Sequence, residues 1–201
     1  MLRTLSLVAV LIALSVSVTF AQKGDKAGNG GAASQLSIFS GTTTVHLSSE
    51  FGVALGTLQI SASSAFPGRL VRGRGTFPIT TATLDSDTLR GEISHAGGLI
   101  LTRGSTTVRL ESFVIDTTGV GGIVLTGLVS ANGTVVGRIP LFDLSLPSGF
   151  RADPTLIRLD GVSVTLRPES AGALNTVFET TAFTGGFNIG TASVTATAFG
   201  I

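Results

Sequence analysis

Two segments near the carboxyl end of the chain alternate between apolar and polar residues. In residues 162–166 (VSVTL) and 191–199 (TASVTATAF), every second side chain is apolar. Because successive side chains of a β-strand point to opposite faces, this period of two predicts strands with one buried face. Residues 42–47 (TTTVHL) and 106–115 (TTVRLESFVI) are rich in β-branched residues, which favour strands. The chain is therefore predicted to be mainly β.

Turn residues divide the sequence into many short segments. Asn132-Gly133 separates residues 123–131 (IVLTGLVSA) from residues 134–142 (TVVGRIPLF). Asn-Gly supplies the positive φ angles that a type I′ hairpin turn requires. Short strands separated by turns about every 8–12 residues are typical of two-layered or closed sheets. We therefore expect an antiparallel β-sandwich or barrel-like sheet.

Two further segments have helical rather than strand spacing. Residues 167–180 (RPESAGALNTVFET) carry Pro168 where a helix can begin, followed by apolar residues at intervals of three and four. Residues 48–60 (SSEFGVALGTLQI) show similar spacing, with Ser48 or Ser49 as the capping residue. The sequence predicts two short helices that accompany the sheet.

The amino-terminal residues have the layout of a secretory signal peptide. Arg3 precedes an apolar run over residues 5–20, and Ala21 ends a small-residue cleavage motif. We expect a signal peptide over residues 1–21, a flexible linker over 22–35 and one β domain over 36–201. The mature chain has no second long apolar run, so we expect no membrane span in it. It is expected to be secreted or to lie on the exterior of the cell envelope.

The charge of the chain narrows the classes of partner. Without Arg3, 12 basic side chains remain against 12 acidic ones. A nucleic-acid-binding protein needs an excess of basic residues, so no nucleic-acid partner is expected. A partner at the cell surface or outside the cell remains compatible with this composition. The chain contains no Cys, so the domain must be stable without disulfides.

The residues offer little support for catalysis. The chain has no Cys, no Gly-x-Ser-x-Gly motif and only two imidazoles, His46 and His95. A serine hydrolase would have to combine one of them with a Ser and with Asp116 or Asp143. No hydrolase motif supports this combination, and we expect the protein not to be an enzyme.

Metal sites have similarly weak signatures. No His or Cys pair has the spacing of a zinc site. Asp85 and Asp87 in the segment TLDSDTL could present oxygen ligands to calcium. The alternative is a turn in which the Asp and Ser side chains bond their own backbone, and this interpretation is favoured.

The two histidines are predicted to face different environments. His46 lies opposite Val45 and Leu47, on the polar face of its segment. His95 shares the face of Ile93, which predicts a buried imidazole that requires either a structural partner or a ligand. The Gly97-Gly98 pair that follows permits a bulge or a close backbone approach.

A second candidate binding cluster is basic. Arg72 and Arg74 belong to the segment GRLVRGRG, which also contains Arg69. This segment is either a solvated loop between strands or a modest anion site for a carboxylate. The ligand-binding candidates are thus His95, His46, Arg72 and Arg74.

Three segments resemble the HtaA-type domain of secreted bacterial proteins. They are residues 76–117, which contain GEISHAGGLIL, residues 135–146 (VVGRIPLFDLSL) and residues 171–194 (AGALNTVFETTAFTGGFNIGTASV). The resemblance implies a β-rich domain at the cell surface and, by analogy with its best-known members, haem as a cofactor. In those members a Tyr near the start of the domain and a His in the Gly-Gly segment serve the haem. His95 matches that His, whereas this chain contains no Tyr.

The sequence therefore leaves three functional hypotheses. The first is a non-enzymatic HtaA-like domain with a structural or binding role in the envelope. The second is a haem-binding module that uses His95. The third is a hydrolase of unknown substrate.

Overall fold

A computed structural model of the chain describes residues 35–147 and 156–200. The predicted signal peptide lies outside the described residues. The predicted linker also lies outside them, apart from Gln35, where the first strand begins.

The described residues form eleven strands and two helices. In chain order the strands are β1 (Gln35–Leu47), β2 (Ser61–Ala65), β3 (Arg69–Val71), β4 (Arg74–Asp85), β5 (Gly91–His95), β6 (Gly98–Arg103), β7 (Thr106–Asp116), β8 (Ile123–Ala131), β9 (Thr134–Ser145), β10 (Leu156–Leu166) and β11 (Asn188–Gly200). The helices are α1 (Ser49–Thr57), which follows β1, and α2 (Pro168–Val177), which follows β10.

Eight of the strands close into an antiparallel barrel. The ring runs β1–β4–β5–β7–β8–β9–β10–β11 and returns to β1, because β1 pairs with both β4 and β11. Closure leaves these strands without a free edge around the ring. The predicted mainly β fold is confirmed, and of the two predicted architectures the structure adopts the barrel.

The remaining strands extend one side of the barrel. β6 pairs with β7 and β2, and β3 pairs with β4. β5 and β6 are two halves of one bent strand, since both pair with β7. The bend lies at Gly97, where a Cβ atom would be 2.2 Å from the backbone nitrogen of Gly68. The predicted close backbone approach at Gly97-Gly98 is thus present.

The two predicted helices are also present, with the expected starts. The Ser48 side chain caps α1 by accepting a hydrogen bond from the backbone N–H of Phe51, at 3.0 Å. This satisfies one of the N–H groups that the first turn leaves unpaired. Pro168 occupies the first turn of α2, where its missing N–H is tolerated.

The core fills the inside of the barrel. In β10, Val162, Val164 and Leu166 are buried, as the alternation predicts. In β11, Ala192 and Val194 are buried in the same way. Within the described part of the chain, neither helix has the length and apolar character needed to cross a membrane.

Candidate functional site

The histidine of GEISHAGGLIL lies inside the barrel. Its strand, β5, lies between β4 and β7, and His95 is opposite Ile79 of β4. Ile93 and His95 both face inward, and His95 is only 5% exposed. The predicted inward orientation therefore holds in the structure.

The imidazole of His95 is bound to a side chain from a distant part of the sequence. The Nε2 atom of His95 and the hydroxyl of Thr43 in β1 share a buried hydrogen bond of 2.7 Å. Thr43 is itself 5% exposed. The other ring nitrogen, Nδ1, has no hydrogen-bond partner among the described residues. Of the two alternatives for a buried imidazole, the structure thus supplies a structural partner, the hydroxyl of Thr43.

This environment keeps His95 neutral. Desolvation by burial lowers its pKa from 6.5 to about 4, because the charged imidazolium loses its hydration. The backbone carbonyls of Phe113 and Ile93 act in the opposite direction on the pKa, although neither is in hydrogen-bonding geometry with Nδ1. A neutral imidazole can accept or donate a hydrogen bond, so it can pair with Thr43 in either tautomer.

The space beside His95 is small and apolar. The cavity it lines has a volume of about 60 Å³. Phe77 and Phe113 line it as well, with their rings edge to face and the ring centroids 5.3 Å apart. Pockets that hold small molecules have volumes of roughly 300–1,000 Å³. This interior can accommodate a few water molecules but no larger ligand.

The other three predicted binding residues lie on the outside of the barrel. His46 of β1 is directly opposite Arg74 of β4. Arg72 belongs to the two-residue turn between β3 and β4. All three side chains are exposed. The structure therefore brings His46, Arg72 and Arg74 together and separates them from His95.

The acidic segment TLDSDTL forms the predicted turn. One carboxylate oxygen of Asp85 accepts hydrogen bonds from the Thr88 backbone N–H at 2.8 Å and the Thr88 hydroxyl at 2.6 Å. It also accepts one from the backbone N–H of Asp87. The hydrogen bonds with Thr88 lower the pKa of Asp85 below its usual value. Among the described residues, no group of three or more His, Asp or Glu side chains is placed to hold a metal ion.

The carboxylates considered for a hydrolase are bound elsewhere. Asp116 accepts hydrogen bonds from the backbone N–H and hydroxyl of Thr118, which lower its pKa. Asp143 forms an ion pair of 2.5 Å with Arg167. Neither carboxylate contacts an imidazole, so the described residues contain no Asp-His pair of the kind a catalytic triad needs.

A second apolar space was not predicted from the sequence. It has a volume of about 290 Å³ and lies between α2 and the strands β7, β8 and β9. Val136 and Leu174 are among its aliphatic lining residues, and Ser170 contributes a hydroxyl that already donates to the Pro140 carbonyl at 2.7 Å. The only sequence signal for this space was the apolar pair Val135-Val136 after the Asn132-Gly133 turn, and both valines are exposed in the structure.

Comparison with solved structures identifies the fold. The carboxyl-terminal domain of HtaA from Corynebacterium glutamicum aligns with 82% of this chain and 99% of its own, at a TM-score of 0.66 and 17% identity. The chain has the fold of an HtaA domain. The amino-terminal domain of the same protein aligns at a TM-score of 0.61 and 15% identity, over 80% of this chain and 97% of that domain.

A third similar structure is the haem-binding protein HtaB from Corynebacterium glutamicum. It aligns at a TM-score of 0.56 and 10% identity, over 83% of this chain and 97% of its own. No family model matches the sequence, and no curated protein matches it either. The predicted resemblance to HtaA-type domains is confirmed by these structures at the level of the fold.

Proposed function

We propose that this chain is a non-enzymatic binding domain of the HtaA type that acts outside the cell. The observation that carries the proposal is the arrangement around His95. The only buried imidazole of the described residues is paired with Thr43 and lines a small apolar cavity of about 60 Å³, which is too small to hold a substrate. Binding is therefore assigned to a surface other than this cavity.

Export is the second part of the proposal. The layout of residues 1–21 supports export. The HtaA fold supports it as well, because the resemblance to HtaA-type domains implies a place at the cell surface. Amino-terminal sequencing of the exported chain tests the cleavage, and the expected first residue is Gln22. A chain that still begins at Met1 in the exported fraction would contradict the assignment.

Haem is the ligand named for one of the similar structures, HtaB, and the residues around His95 do not fit it. The cavity of about 60 Å³ is several times smaller than a small-molecule pocket. The Nε2 atom is engaged with Thr43, and Nδ1 is buried without a hydrogen-bond partner among the described residues. The chain has no Tyr or Cys to supply another iron ligand. The space beside α2 has neither imidazole nor thioether among its lining residues. The same is true of a third space of about 610 Å³, which is lined by Leu84, Ile123 and Leu146 among others.

A second candidate function is haem binding at the surface. It is favoured by the fold shared with the haem-binding protein HtaB and by the exposed imidazole of His46 beside Arg74. In this arrangement His46 would hold the iron and the guanidinium group would contact a propionate. The exposed neighbours provide little apolar enclosure for the macrocycle, so this candidate ranks second.

Titration of the purified chain with hemin separates the candidates. The variants are His95→Gln, which can keep a hydrogen bond with Thr43, and His46→Gln. The first proposal predicts no saturable Soret change that depends on His95. A Soret change that saturates at one hemin per chain and is lost only in His46→Gln would establish the second candidate. Loss only in a folded His95→Gln would show that haem enters the barrel, and it would overturn the claim that the cavity beside His95 is too small for it.

A further inference from the structure

One end of the barrel carries a row of basic side chains on its outer face. His46 of β1 is opposite Arg74 of β4, and Arg74 is opposite Val71 of β3. Arg69 lies two residues from Val71, on the same face, and Arg72 is in the adjoining turn. Neighbouring strands are about 5 Å apart, and alternate residues of one strand about 7 Å apart, so these groups form a continuous strip. We call Arg69, Arg72, Arg74 and His46 the basic strip.

The arginines of the basic strip differ from the other described arginines. None of the three has a hydrogen bond or an ion pair among the described residues, and each is exposed. Each of the remaining described arginines donates to a carbonyl or pairs with a carboxylate; these are Arg90, Arg103, Arg109, Arg138, Arg158 and Arg167. The unpartnered arginines are therefore concentrated at one place on the surface.

The backbone at Arg72 is left-handed. The turn Arg72-Gly73 has φ angles of 49° and 75°, close to the 50° and 82° of the turn Asn132-Gly133. Such a conformation suits Asn but is unfavourable for Arg. Four further non-glycine residues share it among the described residues, so the case for the basic strip depends on its unpartnered arginines and their placement.

Acidic residues are scarce around the strip. The only carboxylate of β1, β3 and β4 is Asp85, at the opposite end of β4 from Arg74. Glu50 in the first turn of α1 is the nearest acidic residue along β1, and it forms no ion pair. Although the chain as a whole is almost neutral, this face has a positive potential that attracts anions.

The arrangement of the arginines in a row favours an extended ligand. Leu70 and Gly75, which alternate with the arginines in β3 and β4, line the interior cavity, so the arginines lie on the outer face of the sheet. Two apolar side chains are exposed along the same segment: Val71 is 58% exposed and Phe66 is 93% exposed. An aromatic ring can stack on the apolar face of a sugar, while guanidinium groups bind carboxylate or sulfate through paired hydrogen bonds.

We propose that the basic strip binds an anionic polysaccharide, whose repeating carboxylate or sulfate groups pair with Arg69, Arg72 and Arg74. Phe66 and Val71 contact the sugar rings between the charged groups. The near-neutral chain favours this partner over a nucleic acid, and the small apolar area favours it over a membrane surface. This inference rests on the proposed binding function and names its ligand; haem held by His46 and Arg74 would occupy part of the same strip.

The experiment uses heparin and alginate as sulfated and carboxylated probes, with affinity measured at low and at physiological salt. Arg72→Asn removes a charge and relieves the turn, and it is expected to weaken binding about two- to fivefold while the chain stays folded. The triple variant Arg69→Gln, Arg72→Gln, Arg74→Gln is expected to weaken binding at least about tenfold. Its dependence on salt should also become shallower, because fewer counterions are displaced. Arg158→Gln is the charge-matched control and should change affinity less than about twofold.

Each outcome decides the proposal. Tighter binding to heparin identifies sulfate, and tighter binding to alginate identifies carboxylate; both support it if the triple variant loses binding. Three results would overturn it. The first is no binding to either probe at low salt. The second is a loss in Arg158→Gln as large as that in Arg72→Asn. The third is equally tight binding to single-stranded DNA or to vesicles of anionic phospholipid.

Discussion

Protonation of His95 should make the stability of the barrel depend on pH between about pH 6.5 and pH 4, a range in which few other side chains titrate. The pKa of His95 is about 4 in the folded chain and 6.5 when the imidazole is free in water. The unfolded chain therefore binds the proton more readily, and acid favours unfolding. The stability from the neutral imidazole is fully present above pH 6.5 and is lost as the pH falls toward 4.

The magnitude follows from the difference of about 2.5 pH units between these two values. One unit corresponds to 1.36 kcal/mol, so the free energy of unfolding should fall by roughly 3 kcal/mol between pH 7 and pH 4. The steepest slope is about 1.4 kcal/mol per pH unit. The stability from Asp85 and Asp116, whose pKa values are lowered, begins to fall only at about pH 5, so the decline between pH 6.5 and pH 5 is free of it.

Urea denaturation at half-unit steps from pH 7.5 to pH 4 measures the effect, with His95→Gln as the matched variant. Glutamine does not titrate and can keep a hydrogen bond with Thr43, so its profile should be flat between pH 6.5 and 4.5. Equal slopes in the two proteins would refute the assignment of the buried imidazole. A flat profile in the unmodified chain would do the same.

Three further substitutions test the fold. Gly98→Ala should lower the free energy of unfolding by about 3 kcal/mol, because its Cβ would lie 2.0 Å from the Leu110 carbonyl oxygen. The control is Gly121→Ala, whose Cβ would have no atom within 4 Å and which should change the free energy by less than about 1 kcal/mol. Equal effects of the two substitutions in urea denaturation would contradict the close approach at Gly98. Ser48→Ala should destabilise by about 1 kcal/mol through loss of the α1 cap, and an unchanged urea midpoint would argue against that cap. Arg72→Asn should raise the free energy of unfolding by about 1 kcal/mol, and with it the thermal midpoint, because Asn tolerates the left-handed turn. A lower midpoint would contradict the strain at this position.

The local parts of the fold could be read from the sequence because each depends on residues close together in the chain. The alternation of β10 and β11 follows directly from one face being buried. The Asn132-Gly133 hairpin and the Ser48 cap each need only a few adjacent residues. Those predictions are confirmed for this reason.

The closure of the barrel could not be predicted, because it depends on pairings between distant strands. β5 and β6 look like one continuous segment, yet β5 pairs with β4 and β6 pairs with β2. The change of partner occurs at Gly97, which lies against the backbone of Gly68. Nothing in the local sequence indicates which strand lies on the other side of such a bend.

The candidate site could be predicted only in part, because some of its contacts also join distant parts of the chain. The inward direction of His95 follows from the pattern of β5, but its partner Thr43 lies 52 residues away. The basic strip could be recognised as a local cluster of arginines. The addition of His46 depends on the register between β1 and β4, which places His46 opposite Arg74.

The most direct test of whether the cavity beside His95 excludes haem is imidazole nitrogen NMR of the chain with and without hemin. The chain has only two histidines, so His46→Gln assigns both sets of signals. We expect His95 to stay neutral in one tautomer at pH 6 and its signals to remain unshifted and sharp when ferric hemin is added, because the cavity of about 60 Å³ is too small for the macrocycle. Loss of the His95 signals through paramagnetic broadening, with the His46 signals retained, would show that haem reaches this cavity and would contradict the account.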